Sequence, residues 1–147
     1  MILVDANILL YAYNSAASQH HVCRKWLEKS LSDQAGIAFS WPIILGFLRL
    51  STDARVFRIP RSWDEAEAIV SSWLEYPGVY VLQPGAEHWA ILRTVIRDGQ
   101  VRGPMIMDAH LAALAIEHGA VLCTNDRDFT RFTGLRLFNP LEPEHAS

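Results

Sequence analysis

The chain opens with Met1-Ile-Leu-Val-Asp5-Ala-Asn7, in which three apolar residues run directly into an acid. Residues 2–4 are typical of a short parallel strand that is apolar on both faces. Asp5 would then stand at the carboxyl end of that strand, and open α/β sheets bind ligands just outside such ends. The acid is therefore either well placed for a cation or a phosphate-bearing substrate, or a simple N-cap of the apolar helix predicted over residues 8–13.

The composition favours one domain with one core. The chain has 147 residues, of which 50% are hydrophobic and 20% are charged, and this is enough apolar material for a single buried core. No apolar run approaches the roughly 18 residues that a membrane span needs. Two cysteines, Cys23 and Cys123, are too few for a disulfide framework. We therefore predict a single domain over residues 1–147, with both cysteines reduced in the core of a cytoplasmic protein.

The charge pattern narrows the class of partner. A net charge of −3 argues against passive binding of nucleic acid over the whole surface. It does not exclude a nuclease, because an acidic metal site itself lowers the net charge. The basic residues are eleven Arg and two Lys, and Arg suits bidentate contact with phosphate or carboxylate.

Apolar periodicity predicts strands and helices that alternate along the chain. Strands are expected over residues 2–4, 36–39, 79–82, 120–124 and 135–138. Further helices are expected over residues 18–32, from Ser40 through Leu50, after a Ser62/Glu65 capping box, and over residues 86–98 and 108–119. In the helix over residues 86–98, Trp89, Leu92 and Ile96 lie at helical spacing, so Trp89 is expected in the core rather than as a platform on which bases stack. This alternation predicts an α/β fold, with a central parallel sheet of four to five short strands covered by helices on both faces.

Three acids are expected at one edge of this sheet. Asp5 follows the first strand, Asp126 follows the fourth, and Asp108 opens the strongest helix at the edge where strands end. Carboxylates packed together raise one another's pKa, and a divalent cation removes that conflict. Oxygen ligands favour Mg²⁺ or Mn²⁺ over zinc. Each acid alone could instead be a helix cap or a turn residue, but their convergence favours a metal site.

Four short motifs make the chain similar to a known family: Val4-Asp5-Ala6-Asn7-Ile8-Leu9, Phe47-Leu48-Arg49, Asp108-Ala109-His110-Leu111-Ala112-Ala113, and Thr124-Asn125-Asp126-Arg127-Asp128-Phe129. In this order they resemble the PIN-domain ribonucleases that are the toxins of bacterial VapBC toxin–antitoxin pairs. The resemblance covers essentially the whole chain. It implies a PIN fold, Mg²⁺- or Mn²⁺-dependent endonuclease activity on RNA, a homodimer and an inhibitory antitoxin partner.

The resemblance also implies roles for single residues: metal-binding carboxylates at Asp5, Asp108 and Asp126, with supporting hydrogen bonds from Asn7 and Thr124. There is one departure from the family. Most such toxins carry a glutamate shortly before Phe-Leu-Arg, and this chain has Gly46 there. The usual cluster of four acids is then incomplete. Either Asp128 or water takes the vacant role, or a second metal ion binds weakly.

The mechanism expected from these features is metal-assisted hydrolysis of phosphodiester bonds. Asp5 and Asp108 would hold the ion directly, and Asp126 would ligate it or orient the attacking water. Products should carry 5′-phosphate and 3′-hydroxyl ends because water is the nucleophile. Structured cellular RNA, either tRNA or rRNA, is the expected substrate, recognised by shape and by its unpaired loops.

A group of arginines is a candidate RNA-binding surface: Arg49, Arg55, Arg58 and Arg61. A solvated face or an antitoxin contact would explain the same group.

Two other functions are compatible with parts of the sequence. A haloacid-dehalogenase-type phosphatase also has an Asp after its first strand, but it needs a second Asp where this chain has Asn7, and no lysine lies beyond Lys29. A non-catalytic module, whose metal site decayed with the acid missing at Gly46, would bind RNA or a protein without cutting.

Overall fold

The computed structural model describes residues 1–143 of the chain. Within that part, the five strands are β1 (Ile2–Val4), β2 (Ile37–Phe39), β3 (Tyr80–Val81), β4 (Val121–Cys123) and β5 (Leu137–Phe138). The α-helices are α1 (Ala6–Ala12), α2 (His20–Ser32), α3 (Trp41–Ser51), α4 (Trp63–Glu75), α5 (His88–Gly99) and α6 (Met105–Glu117). A 3₁₀ turn over Arg127–Arg131 follows β4. Residues 144–147, which the predicted domain of residues 1–147 includes, lie outside the described residues.

The strands form one parallel sheet in the order β3-β2-β1-β4-β5. In register, Ile2 lies beside Ile37 on one side and beside Val121 on the other. All four pairings are parallel, so every strand ends at the same edge of the sheet. The predicted α/β fold is therefore confirmed, and its five strands lie within the predicted four to five.

The connections divide the helices between the two faces of the sheet. Crossovers between parallel strands are right-handed. The chain moves outward from β1 through β2 to β3, so α1–α4 cover one face. It then returns to β4 through α5 and α6, which cover the other. β1 and β4 are neighbours, and the connections leave them toward opposite edges of the sheet. In folds of this kind ligands bind in the crevice at this point, where the strand order changes direction.

The core lies on both sides of the central strands. Leu3 and Val4 of β1 are fully buried, as expected for a strand covered on both faces. Between β2 and α4, the rings of Phe39 and Trp73 stack with their centroids 5.1 Å apart. Cys23 and Cys123 are free and buried, which confirms that they are reduced core residues.

Two expectations about single elements are wrong. Trp89 is 67% exposed rather than in the core. The buried side of α5 is centred on His88 and Val95, and Trp89 is turned about 100° from His88 around the helix. In addition, α6 begins at Met105 rather than at Asp108. No helix within residues 1–143 is both long enough and apolar enough to cross a bilayer.

Candidate active site

Asp5 joins the end of β1 to the start of α1. One carboxylate oxygen, Oδ1, accepts a hydrogen bond from the Ala6 backbone N–H at 2.8 Å, so the acid is the N-cap of α1. The other oxygen, Oδ2, accepts one from the Thr124 hydroxyl at 2.8 Å. The capping interpretation is therefore right, but it uses only one oxygen. The second oxygen connects Asp5 to the neighbouring strand.

The Thr124 hydroxyl is the centre of the hydrogen-bond network at this edge. Thr124 directly follows β4 and is 4% exposed. Its Oγ1 donates to Asp5, and it accepts from the Asn7 side-chain amide at 3.3 Å and from the Asp126 backbone N–H at 3.0 Å. One buried hydroxyl thus holds together the ends of two adjacent strands and the first turn of α1. The roles of Asn7 and Thr124 in catalysis remain predictions.

The network extends to the edge strand through a residue that was not expected from the sequence. The Asn7 side-chain oxygen accepts from the Asn125 backbone N–H at 3.5 Å. The Asn125 side chain in turn accepts from the Asn139 side-chain amide at 2.9 Å. Asn139 directly follows β5, and a polar residue at a strand end was the only signal that could have identified it.

Asp126 begins the 3₁₀ turn after β4. Its Oδ1 accepts from the Asp128 backbone N–H at 2.9 Å, which is the turn contact expected of an Asx residue. No donor from residues 1–143 reaches its other oxygen, Oδ2, which can therefore face a ligand or a water molecule. Asp128 itself is exposed.

Asp108 lies in the first turn of α6, where it is half-buried. Burial, followed by the charges of Asp126, Asp5 and Asp128, raises the pKa of Asp108 to about 6, and the Arg131 charge opposes this. Burial is also the largest cause of a raised pKa at Asp5, which the Thr124 hydrogen bond partly offsets. The acids from three parts of the chain therefore repel one another across one crevice.

These carboxylates fit a hard divalent cation in their chemistry, since they are oxygen ligands whose mutual repulsion a cation relieves. Within residues 1–143, however, no three His, Cys, Asp or Glu side chains are close enough together to hold one ion. Mg²⁺ commonly uses only one or two protein carboxylates and keeps several waters. Ligation by Asp5, Asp108 and Asp126 remains a prediction.

Comparison with known proteins identifies the family. The PIN domain family matches residues 2–135. The chain belongs to the PIN domain family. It is 37% identical over 140 residues to ribonuclease VapC37 of Mycobacterium tuberculosis, covering 95% of this chain and 97% of the relative. The resemblance inferred from the motifs is confirmed: this PIN domain is related to the VapC ribonucleases over most of its length.

Solved structures show the same fold. VapBC2 from Rickettsia felis, bound to a DNA fragment from its promoter, has a TM-score of 0.67 and 22% identity, covering 95% of this chain and 98% of the other. VapC20 from Mycobacterium tuberculosis, a toxin that cleaves the sarcin–ricin loop, has a TM-score of 0.64 and 19% identity, covering 92% and 99%. A PIN fold argues against the haloacid-dehalogenase alternative.

Gly46 of this PIN domain faces the start of α1. A Cβ built on Gly46 would have Ala6 Cβ as its nearest neighbour outside the helix backbone, at 3.9 Å, which is ordinary van der Waals contact. Close packing therefore does not require glycine here. Because Ala6 adjoins Asp5, a longer side chain at position 46 would begin beside the carboxylate crevice.

We expect Gly46→Glu to fold and to bind Mn²⁺ about 10-fold more tightly. A 10-fold gain corresponds to about 1.4 kcal/mol, which is only a small part of the attraction between a carboxylate and a nearby cation. Gly46→Ala is the matched control. It should stabilise α3 by up to about 1 kcal/mol and leave the affinity unchanged. Isothermal titration with Mn²⁺ measures both. Equal affinities in folded Glu and Ala variants would show that position 46 does not border the metal site.

The predicted arginine surface is partly engaged in other contacts. Arg55 forms an ion pair with Asp53 at 3.1 Å. Arg61 donates to the Tyr13 backbone carbonyl and lies 3.8 Å from the Glu65 carboxylate. The remaining two members, Arg49 and Arg58, are exposed. Contact of this group with RNA remains a prediction.

Proposed function

We propose that this PIN domain is a Mg²⁺-dependent endoribonuclease toxin that hydrolyses phosphodiester bonds of structured cellular RNA. The observation that carries the proposal is the crevice at the β1–β4 switch point. There a buried hydroxyl holds Asp5 beside Asp126 while both acids raise the pKa of Asp108. Such mutual repulsion destabilises the metal-free protein and is relieved by a bound cation.

Asp5 and Asp108 would hold Mg²⁺, or Mn²⁺, through their carboxylate oxygens. When bound, such an ion acts as a Lewis acid and lowers the pKa of water. The Thr124 hydroxyl fixes the orientation of Asp5, and Asn7 fixes the position of that hydroxyl. The free oxygen of Asp126 is available to orient the attacking water and accept its proton.

Water as nucleophile leaves 5′-phosphate and 3′-hydroxyl ends. We propose tRNA or rRNA as the substrate, because sequence-specific recognition of RNA usually targets unpaired loops of folded molecules. A fold neighbour of this chain, VapC20, is named for cleavage of one such loop.

The proposed partners are a cognate antitoxin and a second copy of the chain, in the cytoplasm. Several fold neighbours are VapBC complexes. A toxin must be kept silent, and the repelling carboxylates would attract a cation from an inhibitor. An Arg of the antitoxin suits this role, because its guanidinium pairs bidentately with a carboxylate.

The experiment is induction of the protein in cells, followed by mapping of new RNA ends. We expect discrete cuts in tRNA or rRNA that carry 5′-phosphates, and co-expression of the upstream gene should suppress them. New ends with 5′-hydroxyls would contradict attack by water. Cuts that persist with the upstream product bound would contradict inhibition by that partner.

A non-catalytic module is the second candidate, and two observations favour it. Position 46 lacks the acid common in the family, and no cluster of three ligating side chains forms within residues 1–143. A module of this kind would bind RNA or a protein partner and produce no new ends in the same mapping.

A further inference from the structure

The exposed face of α5 carries an aromatic ring and two cations in line. Trp89, Arg93 and Arg97 follow one another at intervals of four residues, and all three are exposed. Trp89 has 67% of its surface accessible. Side chains four apart on a helix share a face, and the three positions span about 12 Å along the axis. They form a continuous stripe, which we call the α5 stripe.

The α5 stripe points toward the carboxylate crevice. α5 ends at Gly99, whose carbonyl accepts a hydrogen bond from the Arg131 guanidinium at 3.5 Å. Arg131 is exposed and ends the 3₁₀ turn that Asp126 of the crevice begins. The C-terminal end of α5 therefore lies beside the turn that carries Asp126, and Arg131 adds a further cation between them.

The charges of the α5 stripe are not used inside the protein. Among residues 1–143, neither Arg93 nor Arg97 forms an ion pair with a carboxylate. The acids of this segment, Glu87 and Asp98, are also exposed. Helical spacing of about 100° per residue places them at the opposite margin of the exposed face from Trp89. The stripe thus presents a locally positive surface on a chain of net charge −3.

We propose that the α5 stripe binds a single-stranded segment of the RNA substrate, with one base stacked on Trp89 and phosphates on Arg93 and Arg97. Aromatic platforms combined with cations are the means by which proteins hold unpaired nucleic acid. A second copy of the chain fits less well, because two such stripes facing each other would bring like charges together. This inference rests on the proposed ribonuclease function.

The test measures RNA binding separately from cleavage. Fluorescence anisotropy with a labelled single-stranded RNA, in EDTA so that no cutting occurs, gives the affinity at several salt concentrations. The test variants are Trp89→Ala, Trp89→Phe and the double variant Arg93→Ala/Arg97→Ala. The controls are Trp63→Ala and Lys25→Ala, which remove another exposed tryptophan and an exposed lysine of α2 that belongs to neither arginine group.

We expect Trp89→Ala to weaken binding about 5-fold or more, and Trp89→Phe to restore much of it because the ring is kept. The double arginine variant should make the dependence of log K on log salt shallower by about 1.4, which corresponds to two phosphate contacts on a single strand. The controls should bind as the wild type does. In cleavage assays, KM should rise while kcat changes little.

Folded α5 variants that bind as the wild type does would overturn this inference, and an equal loss in the Lys25→Ala control would do the same. A change from dimer to monomer on Trp89→Ala, seen by sedimentation, would show that a second copy covers the α5 stripe and would also overturn it. If the wild type binds RNA through the stripe but never cuts it, the proposed function fails while the binding surface stands.

Discussion

Asp108→Asn is expected to abolish RNA cleavage without unfolding the protein. Asp108 supplies one of the two carboxylates proposed to hold the ion. Removing a residue that only hydrogen-bonds to a metal ligand lowers activity by up to roughly 100-fold, so the loss of activity on removing a ligand itself should be larger. The fold should survive because α6 begins three residues earlier, at Met105. Asp108 is therefore not the helix cap, and an amide of the same shape fits its place.

The same variant should be more stable than the wild type when no metal is present. The folded-state pKa of Asp108 is about 6, against an ordinary value of 3.8. The wild type should therefore lose stability as pH rises from about 4 to about 6. Asp108→Asn should lose less, because the contribution of Asp108 is gone while that of Asp5, whose pKa is also raised, remains. Because this side chain is partly exposed, we expect a difference on the order of 1 kcal/mol near pH 7 and none near pH 4.

Thermal unfolding in EDTA at both pH values measures this difference. Glu28→Gln on α2 is a matched control, since its carboxylate is exposed and lies in an ordinary surface ion pair. An Asp108→Asn protein that is less stable at neutral pH and still cuts RNA would show that this acid is structural.

Thr124→Val is expected to lower both stability and activity. Valine keeps the shape of threonine but leaves the Asn7 amide and the Asp126 backbone N–H without their acceptor, and it removes the donor to Asp5. Unsatisfied buried groups of this kind cost roughly 1–3 kcal/mol. Loss of the group that orients a metal-binding carboxylate should reduce cleavage by about 10- to 100-fold.

Thr124→Ser separates the hydroxyl from the methyl group. Serine keeps the donor and acceptor, so it should recover most of the activity while losing some packing. If Val and Ser variants are equally active after correction for the folded fraction, the Thr124 hydroxyl does not position Asp5.

Local patterns were sufficient to predict the strand that leads to Asp5 and the alternation that makes the sheet parallel. Those features depend on residues adjacent in sequence. The Thr124 hydrogen bonds depend instead on the pairing of Val4 with Cys123, residues 119 positions apart, and no local pattern contains this register. The role of Thr124 therefore follows only from the family resemblance. Asn139 is not predicted at all, because its contact with Asn125 also depends on how distant strands pair.

Two errors have simple physical causes. The α6 helix begins before Asp108 because Met105 and Ile106 extend its apolar side, which lies partly buried against α5. The prediction began the helix at Asp108 because an Asp is a preferred residue at a helix start. Trp89 is predicted in the core because it lies at helical spacing from Leu92 and Ile96, which are partly buried. Its position on α5 is decided by which side of the helix packs on α6, and the spacing of the apolar residues left that side ambiguous.

The most direct test of the carboxylate crevice is cleavage of a structured RNA by purified protein before and after removal of metal. We predict that cleavage stops in EDTA and returns with excess Mg²⁺ or Mn²⁺ in the wild type, and that neither ion restores it in Asp108→Asn. Cleavage that continues in EDTA, with protein shown to be metal-free by elemental analysis, would contradict the proposed mechanism.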